Sequence, residues 1–152
     1  MNMNKNLLLG LIGAVAIGLT ACSNTCGVDG AVTPGTPEDF AANVPDTVYF
    51  NFDKSSISEA AAKRLEAQAC WLKTYSSTKA TVEGHCDARG TTEYNMALGE
   101  SRATAASKGL QKQGIDSSRI TTVSYGKSRP IDTGTTEEAY AKNRRALTVI
   151  NK

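Results

Sequence analysis

The spacing of apolar residues changes repeatedly along this chain. Leu7 to Leu19, LLLGLIGAVAIGL, is an unbroken apolar run of 13 residues. From Ser23 to about Val44 it gives way to Gly, Pro, Thr and Ala, as in GVDGAVTPGTPEDF. Beyond that point, short β-branched or aromatic segments alternate with longer ones of helical period. TVYFNF (47–52) predicts a strand. Ser56 and Glu59 make an S-x-x-E box that predicts a helix start, and Ile57, Ala61, Leu65 and Leu72 share one stripe of a helix running to about Tyr75. ATVEGHC (80–86) predicts a second strand. The helix that follows, about Thr92 to Gln113, buries Gly99, Ala103, Ala106 and Leu110 and stops at Gly114, a natural C′ residue. ITTVSY (120–125) predicts a third strand, Thr135 and Glu138 a short third helix, and RRALTVI (144–150) the last strand. The order βαβαβ(α)β predicts an α+β fold in two layers, a four-stranded mixed sheet packed against helices.

The leading apolar run is too short for a bilayer span of about 20 residues. With Lys5 before it, it reads as the core of a signal peptide. It ends in LTAC (19–22), which resembles the lipobox of bacterial lipoproteins, whose cysteine is acylated after cleavage. This divides the chain into a signal peptide (1–21), a lipidated Cys22 with a flexible tether (22–44) and a folded domain (45–152). The alternative is an ordinary secretory signal with an incidental cysteine. Ser23 suits, by analogy with lipoproteins, sorting to the outer membrane. One myristoyl chain binds a bilayer only reversibly, whereas three acyl chains on Cys22 would anchor the protein almost permanently. The tether spans at most ~75 Å extended and ~26 Å as a coil. Formal net charge is +2, and losing Lys5 with the signal takes it to +1. That balance argues against nucleic acid as a partner.

GHCDARG (84–90) holds the only histidine, His85. Side chains alternate along a strand, so Cys86 faces the helices with Val82 while His85 faces away. A Cys–His nucleophilic pair is therefore badly aimed, and a metal site lacks converging ligands. The expectation is a structural hydrogen bond for His85 and a small core residue in Cys86. Cys70 falls opposite the apolar stripe of its helix, out of disulfide reach of an inward Cys86. Three cysteines beyond Cys22 leave no complete disulfide framework, and Cys70 and Cys86 are expected to be unpaired. Asp87 follows the strand in a turn. Asn95, Leu98 and Arg102 lie along one flank of the next helix, which puts Arg102 at the border between core and surface. On residue types alone, a surface ion pair between Asp87 and Arg102 is the favoured reading.

TVYFNFDKSSI, VEGHCDARGTTEYNMALGESRA, SYGKSRP and KNRRALTV, in that order, resemble the OmpA-like peptidoglycan-binding domain. LGExRA and the lipobox resemble its lipoprotein branch, which works with the Tol–Pal system. Cys86 replaces the usual Thr or Ala, and Ala88 stands where the lipoproteins often carry glutamate. The resemblance implies a non-enzymatic binder of peptidoglycan stem peptides, with no metal and no cofactor beyond the lipid. Asp87 would receive the ammonium of diaminopimelate and Arg102 its carboxylate. Asn95 and the Asp87–Ala88–Arg89–Gly90 backbone would add hydrogen bonds, Leu98 an apolar contact, and Phe52, Asp53 and Arg144 the walls. Asp53 serving only as a helix cap, and a merely solvated Arg144, are the competing readings. A TolB-like periplasmic β-propeller is the implied protein partner. Two alternatives stay open: a wall-remodelling hydrolase using His85 and Asp87, and a wall-binding module of another envelope complex.

Overall fold

The computed structural model describes residues 32–151, so the signal segment, Cys22 and Cys26 lie outside the described residues. The elements are α1 (Pro37–Asn43), β1 (Thr47–Tyr49), α2 (Glu59–Thr74), β2 (Ala80–His85), α3 (Thr92–Lys112), a 3-10 turn (Ser117–Arg119), β3 (Ile120–Gly126), α4 (Glu137–Asn143) and β4 (Arg145–Ile150). The sheet order is β1-β4-β2-β3. Strands β2 and β3 are parallel with α3 as their crossover, and β4 runs antiparallel to both β1 and β2. Phe40, Leu65, Trp71, Leu72 and Leu110 from the helices meet Val48, Val82, Ala146 and Ile150 from the sheet in one core. No described helix is long and apolar enough to cross a membrane. The expected two-layer α+β fold with a four-stranded mixed sheet is the one observed.

Several local expectations need correction. The tether was expected to run to Val44, yet Thr36 caps a helix there, Pro37 opens it and Glu38 and Asp39 fill its first turn. Phe40 and Val44 are buried in the core. Asp39, only 1% exposed, accepts hydrogen bonds from Gly35 N, Trp71 Nε1 and Asn43 Nδ2 at 2.8–3.0 Å. Burial pushes its carboxyl up, but these donors outweigh that and hold its pKa below the ordinary value. The folded domain therefore begins before residue 45. Ser58 rather than Ser56 caps α2, accepting from Ala61 N, and Thr136 rather than Thr135 caps α4. β1 is shorter than expected because a turn closed by Lys54 N donating to Asn51 O begins just beyond it. Asp53 sits in that turn with φ +56°.

The cysteines also differ from expectation. Cys86 is a free, buried thiol, but Cys70 is disulfide-bonded. The helical wheel correctly excluded Cys86 as its partner. It did not exclude others, because a half-buried sulfur on the outer face of α2 remains open to the rest of the chain.

α3 lies almost directly on the sheet. A Cβ at Gly84 would stand 1.8 Å from the carbonyl oxygen of Gly99, and one at Gly99 would stand 2.3 Å from Ser124 Oγ. The obstacle at Gly84 is backbone, which cannot turn aside. Gly84→Ala is expected to lower stability by about 3 kcal/mol, the upper end of ordinary overpacking, with a matching drop in the urea midpoint. An unchanged midpoint would show that α3 shifts freely.

The ring of His85 does not make the hydrogen bond expected at the strand end. Its carbonyl does, accepting from Arg102 Nη1 at 2.9 Å. The ring is 1% exposed, stacks on Tyr125 with centroids 5.5 Å apart, and has Nε2 3.4 Å from Glu83 Oε2. Neither ring nitrogen has a hydrogen-bond partner among the described residues. Burial, then the charges of Arg145 and Arg129, depress its pKa from 6.5 to about 4. The folded value lies below the unfolded one, so between them only the unfolded chain takes up the extra proton. Stability is therefore full above about pH 6.5 and is lost as pH falls toward 4. With no other histidine in the chain, chemical denaturation at pH 7.5 and pH 5 should differ by on the order of 2 kcal/mol. His85→Gln should flatten that difference, and an equal loss in both proteins would remove His85 as its cause.

Candidate functional site

The end of β2, the first turns of α3 and the loop after β1 enclose a hollow of about 240 Å³. Phe52, Asp53, Cys86, Asp87, Arg89, Gly90, Tyr94, Asn95, Leu98 and Arg102 line it. The two charged groups singled out in the sequence, Asp87 and Arg102, thus share one cavity. They do not form the surface ion pair that was the competing reading, because each has other partners.

Asp87 is almost wholly buried. Its Oδ1 accepts from the Arg89 backbone N–H (3.1 Å) and Nε (3.3 Å), and its Oδ2 from Arg89 Nη2 (2.7 Å) and Arg144 Nη1 (3.5 Å). Burial pushes the carboxyl up, but the arginine hydrogen bonds and the Arg89 charge prevail and hold its pKa below the ordinary value. It stays ionised. The Arg89 guanidinium lies between two rings, 4.2 Å from the Phe52 centroid and 4.4 Å from that of Tyr140, and also approaches Glu137 at 3.5 Å. Gly90, at φ +89°, turns the chain back into α3. Asn95 fixes the loop by donating from Nδ2 to the carbonyls of Arg89 (2.7 Å) and Thr91 (2.9 Å).

Arg102 is not at the border of core and surface. It is 1% exposed, because α3 lies so close to the sheet that its flank is covered by the loop after β1. Nε donates to Lys54 O (2.9 Å), Nη1 to His85 O (2.9 Å) and Nη2 to Asn51 O (3.3 Å). A guanidinium has five N–H bonds. Three carbonyls take three of them, the Cys86 sulfur also contacts the guanidinium, and the side chain borders the hollow. Burial pulls its pKa below the ordinary value, but an arginine remains protonated at neutral pH.

Two expected residues do not line the hollow. Ala88 is exposed on the turn. Arg144 is buried behind Asp87 rather than solvated, with Nε on Phe50 O at 3.1 Å and Nη1 on Glu137 Oε1 at 2.8 Å. It supports Asp87 and borders a neighbouring hollow with Tyr49 and Lys142. Asp53 does not cap a helix but accepts a hydrogen bond from the Tyr94 hydroxyl across the mouth. Sequence reasoning missed Tyr94 as a lining residue, although it precedes Leu98 and Arg102 by whole turns of α3 and so falls on the same flank. It also took Cys86 for a packing residue only. Cys86 does face α3, its Sγ donating to Asn95 O at 3.3 Å, and in doing so it floors the hollow. Burial pushes its pKa up, so the thiol is a weak nucleophile. Among the described residues no three His, Cys, Asp or Glu side chains converge as a metal would require.

Among the residues that line the hollow, Asp53 and Asp87 balance Arg89 and Arg102. A cavity of zero net charge, with acid and base fixed at separate points, suits a zwitterionic group better than a simple ion.

Comparison with known proteins agrees with this architecture. Residues 49–144 match the family model described as OmpA family. The chain is 40% identical over 152 residues to the peptidoglycan-associated lipoprotein of Haemophilus influenzae, covering 95% of this chain and 98% of that one. It is 44% identical over 122 residues to the protein of the same name from Brucella melitensis, covering 80% and 73%. Among solved structures, the peptidoglycan-associated lipoprotein from Burkholderia pseudomallei superposes with a TM-score of 0.69 at 36% identity, over 78% of this chain and 96% of that one. The C-terminal domain of Helicobacter pylori MotB, 22% identical, shares the fold with a TM-score of 0.66, over 70% of this chain and 84% of that domain. The chain belongs to the OmpA family.

Proposed function

We propose that this protein is an outer-membrane lipoprotein that binds the stem peptides of peptidoglycan without cleaving them, and so ties membrane to wall. The observation that carries the reading is that Asp87 and Arg102 line one hollow. The free end of diaminopimelate bears an ammonium and a carboxylate on one carbon. The ammonium would lie between the carboxylates of Asp87 and Asp53, and the carboxylate would pair with the Arg102 guanidinium. Leu98 and the Phe52 ring would cover the methylenes. The names of the relatives at 40–46% identity support the same ligand class.

Cys22 would carry the lipid, and a TolB-like β-propeller would compete for the same face as part of the Tol–Pal system. A hydrolase is less well supported. The His85 ring is buried on the far side of its strand and does not line the hollow, Asp87 is already held by two arginines, and Cys86 is a protonated thiol.

Calorimetric titration with muropeptides tests the reading. Stems containing diaminopimelate should bind at least tenfold more tightly than stems containing lysine, which lack the carboxylate that Arg102 would fork. Asp87→Asn should weaken binding about thirtyfold, on the order of 2 kcal/mol for losing a largely buried charge partner. Equal affinity for both stems would overturn the assignment. Release of soluble fragments from purified sacculi would overturn the non-enzymatic reading.

A further inference from the structure

The chain has four cysteines, at 22, 26, 70 and 86. Cys86 is a free thiol buried on the floor of the hollow, while Cys70 is disulfide-bonded. Within the chain only Cys22 and Cys26 are left as its partner. The lipid attachment proposed above uses the sulfur of Cys22 as a thioether, and the inference rests on that reading. We infer that Cys26 closes the disulfide with Cys70 and thereby staples the lipid-proximal chain to the pole of the domain opposite the hollow.

The placement of Cys70 gives the staple its consequence. α2 begins just after the loop that carries Phe52 and Asp53 to the rim of the hollow. Cys70 is eleven residues further along the helix, ~17 Å down its axis. At that far end the Arg119 guanidinium gathers the carbonyls of Leu72, Tyr75 and Thr78. The described N-terminal residues arrive at the same end. Gly35 lies against the Tyr75 ring so closely that a Cβ there would be 2.8 Å from it. Next to it, Asp39 takes the indole N–H of Trp71. The docking of α1 and the bond at Cys70 thus independently bring the leading chain to one pole.

With the staple closed, the lipid would be separated from the domain by the four residue steps from Cys22 to Cys26, ~14 Å at full stretch. Without it, the fourteen residues from Cys22 to Thr36 would allow ~50 Å. The closed form gives up reach for orientation, holding the far pole against the membrane and turning the mouth of the hollow away from it. Forming the bond removes two protons and two electrons from the thiols of Cys26 and Cys70. A thiol–disulfide exchange protein would accept them, its own disulfide opening to a dithiol.

The full-length lipoprotein, extracted from membranes in detergent, is alkylated under denaturing conditions, digested without reduction and mapped by mass spectrometry. Expected are a Cys26 peptide joined to the Cys70 peptide, a lipid on the Cys22 peptide and an alkyl group on Cys86. Alkylated Cys26 and Cys70 beside an intact lipid on Cys22 would overturn the staple and leave the lipid reading standing. A Cys22–Cys70 peptide would overturn both, and a Cys70–Cys70 link between two chains would overturn the staple. On a supported bilayer, reflectometry should show the wild-type domain as a layer in contact with the membrane and Cys26→Ser further out. An equal height for the two proteins would overturn the orientation.

Discussion

The site depends on one buried cation. Arg102 comes from α3, and its three donor bonds end on carbonyls of two separate segments, the loop after β1 and the end of β2. The side chain sets the distance between those segments and with it the shape of the hollow. Taking a guanidinium out of water costs several kcal/mol. Neutral carbonyls and the face of Phe50, 5.4 Å away, offset this only in part. No carboxylate touches it among the described hydrogen bonds and ion pairs, and Asp87 contributes only through the field. A cation held in this way is structurally necessary and electrostatically incomplete. The partner that would complete it is a carboxylate presented from the open side.

Asp87 is the opposite case. It arrives fully paired, gripped by Arg89 and backed by Arg144. An incoming ammonium would therefore not meet a bare charge and would have to share the carboxylate with a guanidinium already in place. This reduces raw affinity, since part of the attraction is spent before the ligand binds. It also raises selectivity, because a ligand with only a positive charge has little to gain there. Arg89 can share without leaving, being held by the Phe52 and Tyr140 rings as well as by the ion pair. Those rings also join the loop after β1 to α4, so the network reaches every segment around the mouth.

What the sequence made legible follows the range of the forces involved. The α3 helix, with small residues on its buried stripe and Gly114 past its end, could be read because both signals are local. The short helix α1 was missed although Thr36, Pro37 and two acids mark its start, since seven residues are too few to display a period against a Gly- and Pro-rich background. Arg102 was placed on the correct flank of α3, but its burial depends on how the loop after β1 folds over it, which no local pattern encodes. The roles of Tyr94 and Cys86 were missed for the same reason. Whether a flank residue lines a cavity is decided by what lies opposite. The wheel gave the direction of Cys70 correctly, yet direction alone does not name a partner when part of the chain has no fixed position in the pattern.

If Cys22 carries the proposed lipid, these points bear on how a small receptor would work at its end. A long flexible tether spreads a binding site over a large volume, and effective concentration at any target falls steeply with that volume. Orientation is a separate requirement, because a hollow open on one side is useful only while that side faces the target. In this chain the loops of the site gather at one end of the sheet, and the leading segment docks through Phe40 and Asp39 on Trp71 at the other. The arrangement is economical in physical terms. The contacts that bury Trp71 also fix where the leading segment enters the domain, so packing in the core already determines which way the charged mouth points relative to that segment.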